Sequence, residues 1–331
     1  MNNKNSIIES EEILLPAYGI LVATKDRPRQ IEIFLESVCK QSFLPAEVVI
    51  VSAGIEINET IDNFNKKLNI KHVHSALSGQ IIQKKIGLKY FSENLEWIAF
   101  FDDDIILFPD SIANIFTDIS CLSINNNIAG MGFACNPNST PVRKLRYIFL
   151  KKIFFSSDRN LGKVNKSGYN ASYMDSRKII ETQWLNGISI WRADLARKYE
   201  VPFDKIPHAI CEDLFFSYNN LKYGKLFFSP SSQFTFQKYP KQYFQLNTFV
   251  LHTYIQLFFV LTNKDLSVWA FYWKFLGSSI NALVNTMLRI FKFPRDLLVV
   301  PKLFFDITSL VFTKKKASYI LRSRINKKLM I

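Results

Sequence analysis

The chain has 331 residues, 48% of them hydrophobic, with 30 Phe and 13 Tyr. This composition excludes a disordered or collagen-like chain and supports a sizeable core in one large domain or two smaller ones. Four cysteines at positions 39, 121, 135 and 211, with no C-x-x-C pair, supply neither a disulfide framework nor a zinc cluster and read as reduced, mostly buried thiols. The net charge of +14 is uneven: from Lys241 onward 14 Lys and Arg face three acids, so this tail alone carries +11.

Met1 to Glu12 is polar and acidic, without the basic start and apolar stretch of a signal peptide, and residues 1–14 read as a tail on a cytoplasmic protein. Short apolar runs then alternate with amphipathic segments. A strand at Tyr18–Thr24 precedes a helical pattern through Ile31, Phe34, Leu35 and Val38, and a strand at Glu47–Val51 comes next. The alternation continues through a helix near Ile57–Leu68, a strand near Asn69–Val73, a helix near Ile81–Tyr90 and a very apolar strand at Trp97–Phe101. Strands apolar on both faces belong to a mostly parallel open sheet with helices on both faces, so the chain reads as an α/β protein. In such sheets ligands sit beyond the carboxyl ends of the strands, which directs attention to the residues just after Thr24, Val51 and Phe101.

Residues 134–180, rich in Asn, Ser, Lys and Gly, read as a long excursion from the sheet. After it come an extended segment at Trp184–Trp191 and a short helix at Ala193–Tyr199. A longer helix at Glu212–Tyr223 ends at Gly224, read as a left-handed cap, before short strands near Lys225–Ser229 and Gln233–Gln237. No internal repeat and no glycine-rich phosphate loop of the G-x-x-x-x-G-K or G-x-G-x-x-G type occurs.

Beyond Lys241, residues 242–331 read as a helical basic and apolar extension. The 22 residues between Lys241 and Lys264 carry no formal charge, yet Thr248, His252 and Gln256 recur every four residues as one polar stripe. Segments at Trp269–Leu288 and Leu297–Phe312 are interrupted by Lys274 or by Pro301, Lys302 and Asp306, which are costly at a bilayer centre. These helices are expected to lie on a membrane or pack internally rather than to span it. Cations alternating with Leu and Phe suit an anionic membrane surface on the inner face of the cell membrane. Lys314–Lys316, Arg322, Arg324, Lys327 and Lys328 also invite a nucleic-acid reading, but no recognition motif accompanies them.

The strongest local signal is Asp102-Asp103-Asp104 at the end of the apolar strand. Adjacent carboxylates repel one another, and hard oxygen ligands suit Mg²⁺ or Mn²⁺. Side chains alternate along an extended backbone, so Asp102 and Asp104 can face one side while Asp103 points elsewhere, toward a ribose hydroxyl or the backbone. The alternative is a solvated acidic turn capping the next helix. The second signal is Glu212-Asp213 opening a helix after Cys211, either an ordinary acidic first turn or a general base for an acceptor hydroxyl. His72 and His74 share a strand face without a third ligand and do not suggest a metal site. His208, four residues before Glu212, reads as a loop histidine, and Cys211 as a packed thiol beside acids that disfavour a thiolate. Trp191 and Arg192 anchor the segment after Gly187.

In order and spacing, the run Gly19 to Pro28, the strand Val48–Val51, Asp102-Asp103-Asp104, Asn186-Gly187 and Glu212-Asp213 resemble family 2 inverting glycosyltransferases of the GT-A fold, over roughly residues 15–240. The resemblance implies a catalytic domain at 15–241, with a nucleotide-sugar half at 15–110 and an acceptor half at 111–241. It implies donor contacts from Ala23, Thr24, Asp26, Arg27, Ser52, Gly79, Lys84 and Asp103, and a metal on Asp102 and Asp104. Trp184, Asn186 and Gly187 would sit by the sugar and acceptor, with Asp213 as catalytic base supported by Glu212. The implied partners are a nucleoside-diphosphate sugar and a glycan or lipid-linked glycan acceptor in cell-surface polysaccharide synthesis. Three positions depart from the family pattern. Ser52-Ala53-Gly54 replaces an acidic base contact, Lys84-Lys85 replaces an Arg-Asn pair near phosphate, and Phe234–Gln237 lacks a metal-proximal His. Two other readings share the fold: a nucleotidyltransferase, for which Lys25–Arg29 lacks the glycine-rich loop, and an inactive glycan- or nucleic-acid-binding module.

Overall fold

The computed structural model describes residues 16–136, 153–154, 160–204, 209–238, 246–287 and 299–312, with positions 321, 323 and 325. His208, the clusters Lys314–Lys316, Arg322, Arg324, Lys327 and Lys328, and much of the excursion lie outside the described residues. The sheet has nine strands: β1 Tyr18–Lys25, β2 Glu47–Ala53, β3 Ile70–His74, β4 Trp97–Asp102, β5 Ile105–Leu107, β6 Ile128–Cys135, β7 Ile180–Thr182, β8 Ser189–Arg192 and β9 Lys225–Phe236. Their order is β3-β2-β1-β4-β8-β6-β9-β5, with β7 also on β9.

β3, β2, β1 and β4 are parallel, whereas β8 runs antiparallel to both β4 and β6. The first half is therefore the parallel sheet expected, and the second half is mixed. Alternation along β1 and β2 assigns two cores. Ile20, Val22, Val48 and Ile50 pack under α1 (Pro28–Val38) and α4 (Ser111–Ser123), and Leu21, Val49 and Val51 pack under α3 (Gln80–Gly87). α3 lies so close to the sheet that a Cβ at Gly87 would strike the side chains of Leu21 and Val51.

Several elements differ from expectation for identifiable reasons. The expected helix at 57–68 shrinks to α2, Asn58–Asp62, and the backbone continues as turns through 63–67. Of the extended segment expected at 184–191 only β8 forms a regular strand, and residues 183–188 are bends and irregular backbone, with Leu185 and Ile188 buried. The two short C-terminal strands are one, β9, interrupted in register between Ser229 and Gln233. β6 has no counterpart among the expected strands. Gly224 is extended rather than left-handed, and its glycine is required because a Cβ would collide with the Asn127 carbonyl 2.7 Å away. Of the cysteines, Cys135 is buried and Cys121 is exposed.

After the short α5 (Ala193–Ala196), helix α6 (Glu212–Asn220) brings the second acidic pair onto the Leu21 face of the sheet. The C-terminal helices α7 (Leu246–Thr262), α8 (Val268–Met287) and α9 (Val299–Phe312) share that core. Phe258 and Phe259 meet Phe203 and Phe215 with centroids 5.0 and 5.1 Å apart. α7 is buried almost all round from Val250 to Val260, as a helix apolar on every side should be. Of its polar stripe Thr248 is exposed, whereas Gln256 faces protein: its amide donates to the Gly168 carbonyl at 2.9 Å, and the Lys274 ammonium donates to its amide oxygen. Burial and Lys274 together push His252 down to about 4. Among the described residues no helix is long and apolar enough to cross a membrane.

Candidate active site

A cleft of about 770 Å³ opens at the carboxyl ends of β1 and β4. Its lining includes Ala23, Thr24, Lys25, Arg27, Gly79, Gln80 and the triplet Asp102-Asp103-Asp104. The β1–β4 register pairs Ala23 with Asp102, which sets Thr24 beside Asp103. Thr24 Oγ1 donates to Asp103 Oδ2 at 2.6 Å, and Arg27 donates to Asp103 Oδ1 at 2.8 Å. Asp103 and Asp104 lie in the turn after β4, and Asp103 faces Thr24 and Arg27. Arg27 also lies 3.5 Å from Asp104, so one guanidinium bridges two carboxylates at the cleft wall.

Asp102 accepts a 2.8 Å hydrogen bond from the Gln80 amide, on the first turn of α3. Burial raises its pKa, with Asp103 and Glu212 adding repulsion that Lys84 partly offsets. Asp104 is likewise raised, by burial and then by Asp102 and Asp103. The turn that follows Asp102 is held from behind by Gln237. Its amide donates to the carbonyls of Gln30, Asp103 and Ile105, and its backbone N–H donates to the Asp104 carbonyl at 2.8 Å.

Two carboxylates in the cleft lining, both raised by burial and by neighbouring carboxylates, suit a hard divalent cation. Among the described residues no group of three His, Cys, Asp or Glu converges as a self-sufficient metal cage.

The loop between β7 and β8 closes on the same point. A Cβ built on Gly187 would lie 3.9 Å from both Asp102 oxygens, so the loop after β7 passes directly over that carboxylate. The loop is held by Tyr173, whose hydroxyl accepts from Asn186 N at 2.7 Å, and by Trp184, whose indole donates to Ala171 O at 2.9 Å. Ser217 Oγ on α6 accepts from Leu185 N, tying the loop to the helix that carries Asp213. Trp191 stacks edge-on against Phe216 of that helix, 4.6 Å between centroids, and Arg192 pairs with Asp194.

α6 starts abruptly. Cys211 is left-handed at φ 60°, an unfavourable conformation for a side-chain-bearing residue, and burial pushes its thiol up to about 12. Glu212 is buried, and its Oε1 lies 2.5 Å from Lys84 Nζ. Asp213 accepts from Leu214 N at 2.8 Å, and burial, then repulsion from Glu212, pushes it up to about 7.

Three donor candidates take other roles. Asp26, left-handed at φ 55°, accepts from Ile55 N at 2.9 Å and fills the space above Gly54 (φ 80°), where any Cβ would fall on its carboxylate. Ser52 is buried between His72 Nε2, at 2.8 Å, and His74 Nδ1, at 3.3 Å. Lys84, instead of reaching the cleft, is buried against Glu212. Conversely, Lys25, Gln80, Gln83 and Tyr173 belong to the site although the sequence motifs do not single them out. Gln80 and Gln83, placed i and i+3 at a helix start right after Gly79, were the available signal.

A model of the glycosyl transferase family 2 matches residues 19–172. No curated protein sequence matches the chain. Among solved structures, S. aureus TarS 1-349 superposes with a TM-score of 0.55 at 14% identity, over 94% of this chain and 90% of that one. The same protein in complex with UDP-GlcNAc gives 0.54 at 13% identity, again over 94% and 90%. The chain spans 44% of a longer structure of S. aureus TarS. Residues 19–172 thus match the model of the glycosyl transferase family 2, and the fold as a whole is similar to that of TarS 1-349.

Proposed function

We propose that the protein is a metal-dependent inverting glycosyltransferase that moves a sugar from a nucleoside-diphosphate donor to a hydroxyl of a glycan or lipid-linked glycan. The observation that carries this reading is that a Cβ built on Gly187 would lie 3.9 Å from both Asp102 carboxylate oxygens, so that the loop after β7 borders the cleft that holds the carboxylates. Asp102 and Asp104 would hold Mg²⁺ or Mn²⁺, which supplies neutralising charge for the departing diphosphate. Arg27 and Lys25 add fixed positive charge to the same cleft.

Asp213 accepts the proton of the incoming hydroxyl. The oxygen attacks the anomeric carbon on the face opposite the diphosphate, a new C–O bond forms, and the old one breaks with its electron pair leaving on the diphosphate. One displacement inverts the configuration. A base with a pKa near 7 is matched to this task at neutral pH. TarS is recorded in complex with UDP-GlcNAc, which makes a UDP-sugar the first donor to test. The test is a thermal-shift series with UDP, GDP, CDP and dTDP, with and without Mn²⁺, on the wild type and Asp104→Asn. A metal-dependent shift with one nucleotide, lost in the variant, supports the reading; a shift indifferent to metal and to Asp104 refutes the metal site.

The reading extends to a peripheral seat on an anionic membrane. α8 and α9 form an antiparallel pair, Trp269 against Phe312 and Phe275 against Phe304. Trp269, Trp273, Ile280, Phe305 and Phe312 are exposed along it, Phe305 at 72%. Exposed rings beside a tail of net charge +11 match an interface of apolar chains and lipid phosphates. A surface-glycan role accords with that location. Flotation that depends on anionic lipid supports it, and equal recovery with neutral and anionic vesicles refutes it.

A further inference from the structure

The displacement gives Lys84 no step. It lies on the second turn of α3, 1% exposed, with its ammonium 2.5 Å from Glu212 Oε1 across 128 positions of sequence. The ammonium also sits over the Phe100 ring at 5.4 Å and the Tyr199 ring at 5.9 Å, so its surroundings are otherwise apolar. Burial alone would strip its proton; Glu212, with Asp102 and Asp213 behind it, reverses this and keeps it charged. The second oxygen of Glu212 is buried without a hydrogen-bond partner among the described residues, so its attachment to the protein runs through Lys84.

The helix that presents Lys84 is itself fixed to the donor cleft. Gln83 donates to the carbonyls of Thr24 and Val51 at 2.7 and 2.8 Å, and Gln80 holds Asp102. One face of one helix, through residues spaced i, i+3 and i+4, therefore grips both the strand ends of the donor half and the first residue of α6.

We propose that Lys84 is a positioning residue that orients Asp213 through Glu212, registering the start of α6 against the donor cleft, and is not a ligand of the donor phosphates. The proposal rests on the reading of Asp213 as base. Without Lys84, Glu212 has no cation to hold it, and the adjacent Asp213 loses its fixed direction.

The test uses the full chain, with UDP-GlcNAc and Mn²⁺ as probes and water as acceptor. It measures UDP release, UDP-GlcNAc binding by calorimetry, and melting temperature. Lys84→Met is expected to lower kcat about a hundredfold, in the range of a general base's contribution, while the Kd for UDP-GlcNAc changes less than threefold. The acidic limb of kcat should move to higher pH, because a cation that favours ionised Asp213 over the opposing Glu212 and Asp102 is gone. Lys84→Met/Glu212→Gln removes the uncompensated charge and is expected to recover the melting temperature but not kcat. Recovery of kcat together with stability would reduce Lys84 to a structural counter-ion and overturn the proposal. A tenfold loss of UDP-GlcNAc binding in Lys84→Met would return it to the phosphates and overturn it equally. Asp213→Asn separates the two claims: if it stays active the base assignment fails and this proposal with it, whereas an inactive Asp213→Asn beside an unaffected Lys84→Met refutes the proposal alone.

Discussion

Replacing Asp213 by Asn should trade activity for stability in a pH-dependent way. Asn keeps the acceptor oxygen for Leu214 N but cannot take a proton. The fold raises the Asp213 pKa to about 7, through burial and then Glu212. A carboxyl whose folded pKa is raised contributes stability that is complete below its unfolded pKa and is lost as pH rises to the folded one. Between pH 5 and pH 7 each unit costs ~1.4 kcal/mol, so about 3 kcal/mol accumulates. Asn carries no such penalty, so the stabilisation by Asp213→Asn should grow by roughly 3 kcal/mol from pH 5 to pH 8, or roughly 5 °C in Tm. The assay is a thermal melt of both proteins at the two pH values, alongside UDP release, which should fall at least about a hundredfold. A pH-independent difference in Tm would refute the claim that Asp213 sits protonated in a buried site at low pH. Undiminished turnover would refute its role as base.

The same electrostatics predict that Lys274→Met stabilises the protein at pH 7. Burial lowers the Lys274 pKa to about 8, so the wild type should gain stability as pH rises from 8 toward 10, and the variant should not. Asp104→Asn should weaken Mn²⁺-dependent UDP binding at least tenfold while leaving metal-free binding and Tm little changed, read by calorimetry. Gly54→Ala should cost about 1–3 kcal/mol by denaturant melt, since φ 80° and the Asp26 carboxylate both reject a Cβ; Gly54→Ala/Asp26→Ala should recover part of that. Trp269→Ala/Phe305→Ser should reduce recovery with anionic liposomes in flotation without lowering UDP release in solution.

The donor half was readable because its signals are local. β1, β2 and β4 are apolar on both faces, and three consecutive carboxylates at a strand end are costly without a purpose. β6 was hidden because Ile128–Cys135 contains Gly130 and Gly132, which lower strand propensity; they are there because Trp191 and Tyr173 press against them, contacts from far along the chain. The polar stripe of α7 was legible, but its partner was not: Thr248, His252 and Gln256 make the same pattern whether they face lipid headgroups or the buried Lys274. Lys84 shows the same limit. A lysine where a family has arginine reads as a phosphate ligand until a glutamate 128 residues later is found against it. Asp26 and Ser52 sit at the right strand ends, yet backbone and histidine partners occupy their polar atoms. Position along a strand places a side chain near a site, and only tertiary packing decides what it touches.

The central claim is a single displacement, with Asp213 as base on the side opposite the diphosphate. It is tested most directly by tracking, by proton NMR, the anomer of GlcNAc first released when the protein hydrolyses UDP-α-GlcNAc with Mn²⁺, before mutarotation. The account predicts the β anomer from the wild type and no release from Asp213→Asn. Release of the α anomer, or of either anomer by the variant at the wild-type rate, would contradict it.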